Sequence, residues 1–316
     1  MRVLVIGGAG YIGSHVTYEL CDQGYNVTVL DNLSTGFVDN IDNRAEFIQD
    51  SFTNADYLTK ILKNVDCVIH LAALKAAGDS MVNPIKYSKS NIIDSIRLIN
   101  MCLENDVENF IFSSSAAVYG YPTYLPLDEN HSLNPINYYG FTKLFIEQQL
   151  SWLHNLKGIN IGLLRYFNAA GYDMRGRVKN KEKNPQNLLP IVMEVASGER
   201  SEINVFGNDY DTPDGTCLRD YIHVNDLAFG HVKAIEVLNK KSNLITNLAT
   251  GNAYSVLEVI ELAKKITGKQ INYNIEERRP GDPSSLYANS NNELNFKNKF
   301  SDLETIISSM WNVYKK

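Results

Sequence analysis

Short apolar runs, many of them β-branched, recur along the first half of the chain at 3–6, 27–30, 47–48, 67–71, 110–112 and 161–164. Their apolar residues are consecutive rather than alternate, so each predicts a strand covered on both faces. Between them, stretches at 55–62, 92–103 and 144–153 carry helical periodicity. Alternation of such strands and helices predicts an α/β fold built on a doubly wound parallel sheet. Beyond residue 168 the rhythm changes. Residues 175–185 are polar and basic, with a glycine and a proline, and read as a loop. Helices are predicted at 188–196, 226–238 and 256–266, and short strands at 203–206, 246–248 and 271–273. Ser255 with Glu258 three residues later reads as a capping box opening one of these helices.

Composition narrows the classes. The chain has 316 residues, 44% hydrophobic and 21% charged, ordinary values for a globular protein, with a formal net charge of −6. That balance argues against a nucleic-acid surface, which needs clustered cations. Cys21, Cys67, Cys102 and Cys217 are scattered without metal or disulfide spacing, and the first three sit in apolar runs that predict buried thiols. No metal site is expected. The opening residues go directly into a strand rather than a leader, and no run is long enough to span a membrane, so a cytoplasmic protein is expected.

Candidate chemistry begins at Gly7-Gly8-Ala9-Gly10-Tyr11-Ile12-Gly13, which follows the first strand and opens a helix. Gly7 permits a tight turn, Gly10 lets backbone approach a diphosphate, and Gly13 lets helix pack close to strand. The helix N-terminus then faces the phosphates with unpaired N–H groups. Asp31 ends the second strand, where a carboxylate accepts the adenosine ribose hydroxyls and disfavours a 2′-phosphate, so NAD is preferred to NADP. A plain strand-to-helix turn explains the glycines alone; it does not explain the order strand, glycines, helix, strand, acid. The expected organisation is therefore a Rossmann-type domain over 1–168 and a smaller mixed α/β substrate lobe over 169–316. Strands of the later segments remain free to join the main sheet.

Tyr139 and Lys143 stand four apart in a helical stretch, on one face. A phenol ionises near pH ~10, and a neighbouring ammonium and a cationic nicotinamide favour its phenolate. Ser113-Ser114-Ser115 follows the fifth strand, at the carboxyl edge where open sheets bind ligands. Singly, a Tyr/Lys pair is commonly a solvated face and a serine run a turn. Their order behind the glycine fingerprint makes them a candidate hydride-transfer site.

With these residues in hand, the chain resembles the extended short-chain dehydrogenase/reductases, and within them the UDP-glucose 4-epimerase family, over nearly its whole length. The resemblance is carried by the glycine segment, the 31–36 and 70–75 blocks, the 110–120 block, the Tyr139/Lys143 pair, and Leu164-Arg165-Tyr166-Phe167-Asn168. Phe206-Gly207-Asn208-Asp209-Tyr210, Arg219-Asp220-Tyr221-Ile222-His223-Val224 and Arg278-Arg279-Pro280-Gly281-Asp282-Pro283 complete it.

The resemblance implies an NAD that stays bound and is not consumed. Tyr139 takes the C4 hydroxyl proton, Ser115 holds the reacting oxygen, and Lys143 holds the nicotinamide ribose and lowers the tyrosine pKa. A 4-keto sugar then turns about its diphosphate link and is reduced on its other face. The implied cofactor contacts are Gly7, Gly10, Tyr11, Ile12, Gly13, Asp31, Asn32, Ser34, Thr35, Gly36, Asp50 and Ser51. They continue with Leu71, Ala72, Ala73, Lys75, Ser90, Ser113, Tyr139, Lys143, Tyr166 and Phe167. The implied UDP-sugar contacts are Lys75, Ser115, Tyr139, Asn168, Asn187, Leu188, Asn204, Val205, Phe206, Arg219, Arg279, Asp282 and Leu286. A homodimer is implied as well; no nucleic-acid or membrane partner is. For Arg219 and Arg279 the alternative is a surface salt bridge with Asp220 or Glu277.

The sequence departs from the family pattern at three places. Ala117 stands where a threonine or serine is usual, Asn91-Ile92-Ile93-Asp94-Ser95 replaces the usual NVxGT with Ser90 where an asparagine is common, and Leu286 stands at the position lining the sugar's 2-substituent. Leucine is intermediate between the bulky tyrosine of hexose-only epimerases and the small residues that admit N-acetyl sugars. UDP-N-acetylglucosamine or bifunctional epimerisation therefore stays open, as does UDP-glucuronate, whose carboxylate one arginine can hold. A 4,6-dehydratase needs an acid/base pair where Ala116-Ala117 stands, and is rejected. A non-catalytic NAD-binding regulator predicts damage to the Ser/Tyr/Lys set, and none is seen.

Overall fold

The computed structural model describes residues 1–279, 281–289 and 292–315; Pro280 of the 278–283 block lies outside them. In chain order the strands are β1 (Arg2–Ile6), β2 (Asn26–Asp31), β3 (Glu46–Gln49), β4 (Cys67–His70), β5 (Asn109–Ser115), β6 (Asn160–Tyr166), β7 (Asn168–Ala170), β8 (Ile203–Phe206), β9 (Leu218–His223), β10 (Asn243–Leu248), β11 (Ala253–Ser255), β12 (Tyr273–Glu276) and β13 (Ser285–Leu286). The helices are α1 (Tyr11–Asp22), α2 (Ala55–Leu62), α3 (Ala77–Val82), α4 (Pro84–Tyr87), α5 (Asp94–Glu104), α6 (Tyr138–Lys157), α7 (Leu188–Ala196), α8 (Val224–Leu238), α9 (Val256–Thr267) and α10 (Leu303–Tyr314).

Seven parallel strands run in the order β10-β6-β5-β4-β1-β2-β3. The reversal of strand order beside β1 opens a crevice at the carboxyl edge between β1 and β4, where ligands of such sheets bind. Consecutive apolar residues serve opposite faces, as the runs predict. Val3, Val5, Val27, Val29, Cys67 and Ile69 pack with helix residues Val16, Leu227 and Ile235 on one side. Leu4, Ile6, Leu30, Val68, Phe110 and Phe112 pack with Leu58, Leu98 and Ile146 on the other. The seventh strand, β10, comes from beyond residue 168 and pairs with β6 along its whole length.

The remaining segments build a second core from residues of α7, β8, α9 and α10. Its sheets are small. β9 is flanked by β11 and β13 and also pairs with β7, while β8 pairs with β12. The register sets Leu286 opposite Arg219 and Asn168 opposite Tyr221, so β9 gathers residues far apart in sequence.

Several boundaries differ from the sequence reading. The 92–103 helix begins with a π-type turn over Ser88–Ile93, and α5 starts at Asp94. The 271–273 strand lies instead at Tyr273–Glu276, paired with β8. Of the cysteines read as buried, Cys67 and Cys102 are, but Cys21 is only partly covered. The Ser255/Glu258 capping box forms, with the Ser255 hydroxyl accepting from Glu258 N at 3.0 Å and the Ser255 N donating to Glu258 Oε2 at 2.6 Å. No helix among the described residues is long and apolar enough to cross a membrane.

Candidate active site

The turn from β1 into α1 is made by glycines that no side chain can replace without displacement. Gly7 has φ +85°, and a Cβ there would lie 2.8 Å from Ala72 N; one at Gly13 would lie 2.1 Å from Gly7 O. Close helix–strand packing is thus the role of Gly13. Gly10, by contrast, is only mildly crowded, its Cβ meeting Gly7 O alone, at 3.3 Å. It stands at the N-cap of α1, which no side chain caps. The end of α1 therefore offers backbone N–H groups and the positive end of the helix dipole to an anion. Gly36 presses on Ala9 from the other side, where a Cβ would sit 2.7 Å from Ala9 backbone. These surfaces form a cradle that fits a dinucleotide diphosphate.

Asp31 closes the cradle. Its Oδ2 accepts from Ala9 N at 3.0 Å and its Oδ1 from Leu33 N at 2.7 Å. A carboxylate keeps further lone pairs after two such bonds, so a ribose hydroxyl still fits. Asn32 Oδ1 accepts from Ser34 N at 3.0 Å, exposed Thr35 leads into Gly36, and Asp50 accepts from Ser51 N at 2.6 Å. Leu71 N and Ala72 N both donate to Ile6 O, which brings the β4 exit, continuing through Ala73, against the glycine turn. The Tyr11 hydroxyl donates to Gly171 O at 2.6 Å and joins α1, which continues through Ile12, to the second lobe.

α6 is N-capped by Asn137, whose Oδ1 accepts from Gly140 N at 2.8 Å. Gly140 permits close contact with the turn after β5, since a Cβ there would lie 2.5 Å from Ala117 O. Tyr139 N donates to the buried Ser80 hydroxyl at 2.9 Å. Burial pushes the Tyr139 phenol up, and a hydrogen bond with Ser115 pulls it down. One turn on, the Lys143 ammonium donates to Ser113 O at 2.7 Å and lies 5.8 Å from the Tyr139 ring centroid. Burial lowers the Lys143 pKa to about 7, with Glu147 acting in the opposite sense. Tyr139, Lys143, Ser113 and Ser115 are thus brought together at the carboxyl edge of the sheet. Tyr166 at the end of β6 bears electrostatically on Tyr139, and Phe167 packs with Ala116, Val118 and Leu286.

Lys75 reaches outward to Glu182 in the 175–185 loop. Further contacts tie that loop across the cradle, among them Lys183 Nζ 4.4 Å over the Phe37 ring and Asn180 N donating to Asn40 Oδ1 at 3.0 Å. Ser90 is half-buried in the π-type turn. Its neighbour Asn91 does the joining, through Leu74 N at 2.9 Å, Leu74 O at 2.8 Å and the Thr142 hydroxyl at 3.2 Å.

The predicted substrate residues gather around β8 and β9. Arg219 pairs with Asp282 and donates to Leu218 O at 2.8 Å. The alternative partners do not engage it: Asp220 is buried and accepts from Thr250 N, Thr250 Oγ1 and Gly251 N. The Arg279 guanidinium lies 3.7 Å over the Phe206 ring. Asn204 is exposed and Val205 buried on β8, as strand alternation requires. Asn168 Nδ2 donates to Asp220 O at 2.8 Å. Asn187 is exposed at the N-cap of α7, making no side-chain cap bond, with Leu188 half-buried behind it. Among the described residues no cluster of histidine, cysteine, aspartate and glutamate could hold a metal.

Sequence reasoning missed Ser80, Asn91, Glu147 and Arg165. Glu147 had a signal, since it follows Lys143 by one more helical turn; Arg165 had one in being a charge at the end of an apolar strand.

Comparison with known proteins gives the same picture. The model of the NAD dependent epimerase/dehydratase family matches residues 3–249. The UDP-glucose 4-epimerase of Halalkalibacterium halodurans is 42% identical over 322 residues, covering 100% of this chain and 96% of that protein. The crystal structure of UDP-glucose 4-epimerase from Brucella ovis in complex with NAD is 40% identical with TM-score 0.95, covering 99% and 98% of the two chains. That from Bifidobacterium longum in complex with NAD⁺ and UDP is 39% identical with TM-score 0.94 over the same shares.

Proposed function

Given that the chain belongs to the NAD dependent epimerase/dehydratase family, we propose that it is a UDP-glucose 4-epimerase, interconverting UDP-glucose and UDP-galactose. The observation that carries this reading is the Tyr139 phenol, partnered by Ser115 and followed one turn on by a buried Lys143, beside the glycine cradle.

Tyr139 takes the proton of the C4 hydroxyl and later returns it from the same oxygen. A phenol does this near neutral pH only if its phenolate is favoured, and the Lys143 charge and the Ser115 hydroxyl both favour it. Ser115 also holds the reacting sugar oxygen. NAD, when bound, serves as the reversible two-electron acceptor for C4. Gly7, Gly10, Asp31 and Gly36 would hold its adenosine and diphosphate portion, with Gly13 packing the turn behind them, and Lys143 its nicotinamide ribose. Arg219, Arg279 and Asp282 grip the UDP moiety, because guanidinium forks suit phosphate oxygens. Anchoring remote from C4 lets the sugar turn between the two half-reactions, so binding energy made there is used at the reacting carbon.

Residues 1–168 serve the cofactor and most of 169–316 the UDP-sugar. The working form is a homodimer in the cytoplasm; exposed Val82, Ile85, Phe141, Trp152 and Leu156 along α3, α4 and α6 support self-association, which sedimentation velocity tests.

Conversion of UDP-galactose to UDP-glucose by the purified protein, with NAD released on denaturation, tests the function. Tyr139→Phe is expected to lower turnover by ~10²–10⁴-fold, the usual worth of a positioned acid–base, with bound NAD unchanged. Unchanged turnover refutes the mechanism.

A further inference from the structure

One turn beyond Lys143, α6 carries another buried charge. Glu147 is 3% exposed. Its carboxylate accepts from the Ser114 hydroxyl, from Arg165 Nε at 3.0 Å and from Arg165 Nη2 at 2.7 Å. Arg165 on β6, equally buried, also donates to the Tyr119 hydroxyl at 3.0 Å, and that hydroxyl donates to Asn247 Oδ1 at 2.7 Å.

The position of Ser114 gives this network its consequence. Ser113, before it, receives the Lys143 ammonium on its carbonyl; Ser115, after it, partners the Tyr139 phenol. One carboxylate therefore grips the centre of the three-serine edge from the same helix that presents the tyrosine and the lysine. The charges around Lys143 are few. His70 on β4 faces it and is neutral, its pKa lowered to about 3 by burial and then by Lys143 itself. Arg165 on β6 pairs with Glu147 and is not among the charges that act on Lys143. Glu147 is the anion acting on Lys143, and it opposes the burial that strips the ammonium of its proton.

We propose that Glu147 is a positioning residue for epimerisation, the counter-charge beneath Lys143 and the tie that holds the Ser113–Ser115 edge against Tyr139. It rests on the roles proposed above for Tyr139 and Lys143. Without the anion, Lys143 sheds its proton at lower pH, and the Tyr139 phenolate loses its cationic neighbour. A purely structural Glu147 would alter melting temperature and expression, and leave the pH profile where it was.

The test uses the full-length holoenzyme. Glu147→Gln keeps the shape and one acceptor oxygen while removing the charge. The expected result is a kcat lowered about tenfold or more, KM for UDP-galactose within about twofold, and the alkaline limb of the kcat profile moved down by about one pH unit, since each unit of pKa is a tenfold change in protonation. Glu147→Asp is expected to restore the position of that limb. Removing one partner of a buried pair often compromises folding, whereas replacing both is commonly tolerated. Glu147→Gln with Arg165→Met is therefore the second variant, expected to stay folded with NAD bound and to show the same limb shift. An unmoved limb with kcat within about twofold of the parent, in either variant, overturns the proposal. If the parent protein itself lacks epimerase activity, the proposed function fails first, so the two failures are distinguishable.

Discussion

Gly13→Ala isolates the packing of the cofactor turn from its ligand-facing side. The added methyl would lie 2.1 Å from Gly7 O and 2.7 Å from Gly8 Cα, both backbone atoms. Comfortable contact begins near ~3.5 Å, so α1 and the turn must part by about 1 Å, with no side chain able to swing aside. Overpacking of this kind costs up to ~3 kcal/mol, and the gain in helix propensity from glycine to alanine offsets ~1 kcal/mol. The net loss is about 2 kcal/mol, equivalent to ~3 °C in melting temperature for a chain of 316 residues. Gly10→Ala is the control. Its methyl meets only Gly7 O at 3.3 Å, and an alanine N-cap costs under about 1 kcal/mol, but it stands in the space offered to the diphosphate. Thermal melts of NAD-stripped protein, beside NAD content of purified protein, separate the two. Gly13→Ala should lose both stability and NAD, and Gly10→Ala mainly NAD. A Gly13→Ala protein melting within about a degree of the parent, or a Gly10→Ala protein that melts lower than the Gly13→Ala protein, refutes the assignment.

Acid should destabilise the fold from about neutrality downward. Burial lowers the pKa of His15 and His231 to about 4 and of His70 and His223 to about 3. Depressed folded-state values mean that the unfolded chain binds the extra protons, so this stability is intact above pH ~6.5 and lost as pH falls, by at most ~1.4 kcal/mol per unit per histidine. Asp220, raised to about 6, and Glu129, also raised, both by burial, act oppositely. Melting temperatures between pH 7 and pH 5 check the net direction; a rise on acidification contradicts it. Glu182→Ala removes the partner of Lys75 and should raise the rate at which bound NAD exchanges with labelled NAD, with kcat within about twofold; unchanged exchange means the Lys75–Glu182 tie does not retain cofactor. Side-by-side assays of UDP-galactose and UDP-N-acetylgalactosamine test the pocket at Leu286, where Leu286→Gly should improve the N-acetyl substrate relative to the hexose and leave the pair ratio unmoved only if that side chain is remote from the 2-substituent.

Local rules made much of this molecule readable. The β1–α1 turn, the one-turn spacing of Tyr139 and Lys143 and the Ser255/Glu258 cap each depend on residues within a few positions of one another, where backbone geometry leaves little choice. What escaped prediction depends on register between distant segments. Glu147 and Arg165 meet because α6 lies along β6, and Arg219 finds Asp282 because β13 pairs with β9. Asp220 looks like an ordinary surface partner for its neighbour Arg219, yet alternation on β9 turns it inward to the 250–251 backbone. The π-type turn at Ser88–Ile93 left no mark because its justification, Asn91 bridging Leu74 and Thr142, spans two other segments.

The seventh strand bears on how the chain is made. During synthesis, residues 1–168 leave the ribosome with six strands ready to pair, but β6 has an open edge until residues 243–248 emerge. The helix that covers that part of the sheet, α8, also arrives late, so Ile111 and Leu164 face water in the meantime. An exposed apolar edge is the feature through which nascent chains aggregate. Expression of this protein should therefore respond to elongation speed through the 169–248 stretch and to chaperone supply. A fragment ending at residue 168 should accumulate in inclusion bodies, however complete its cofactor turn.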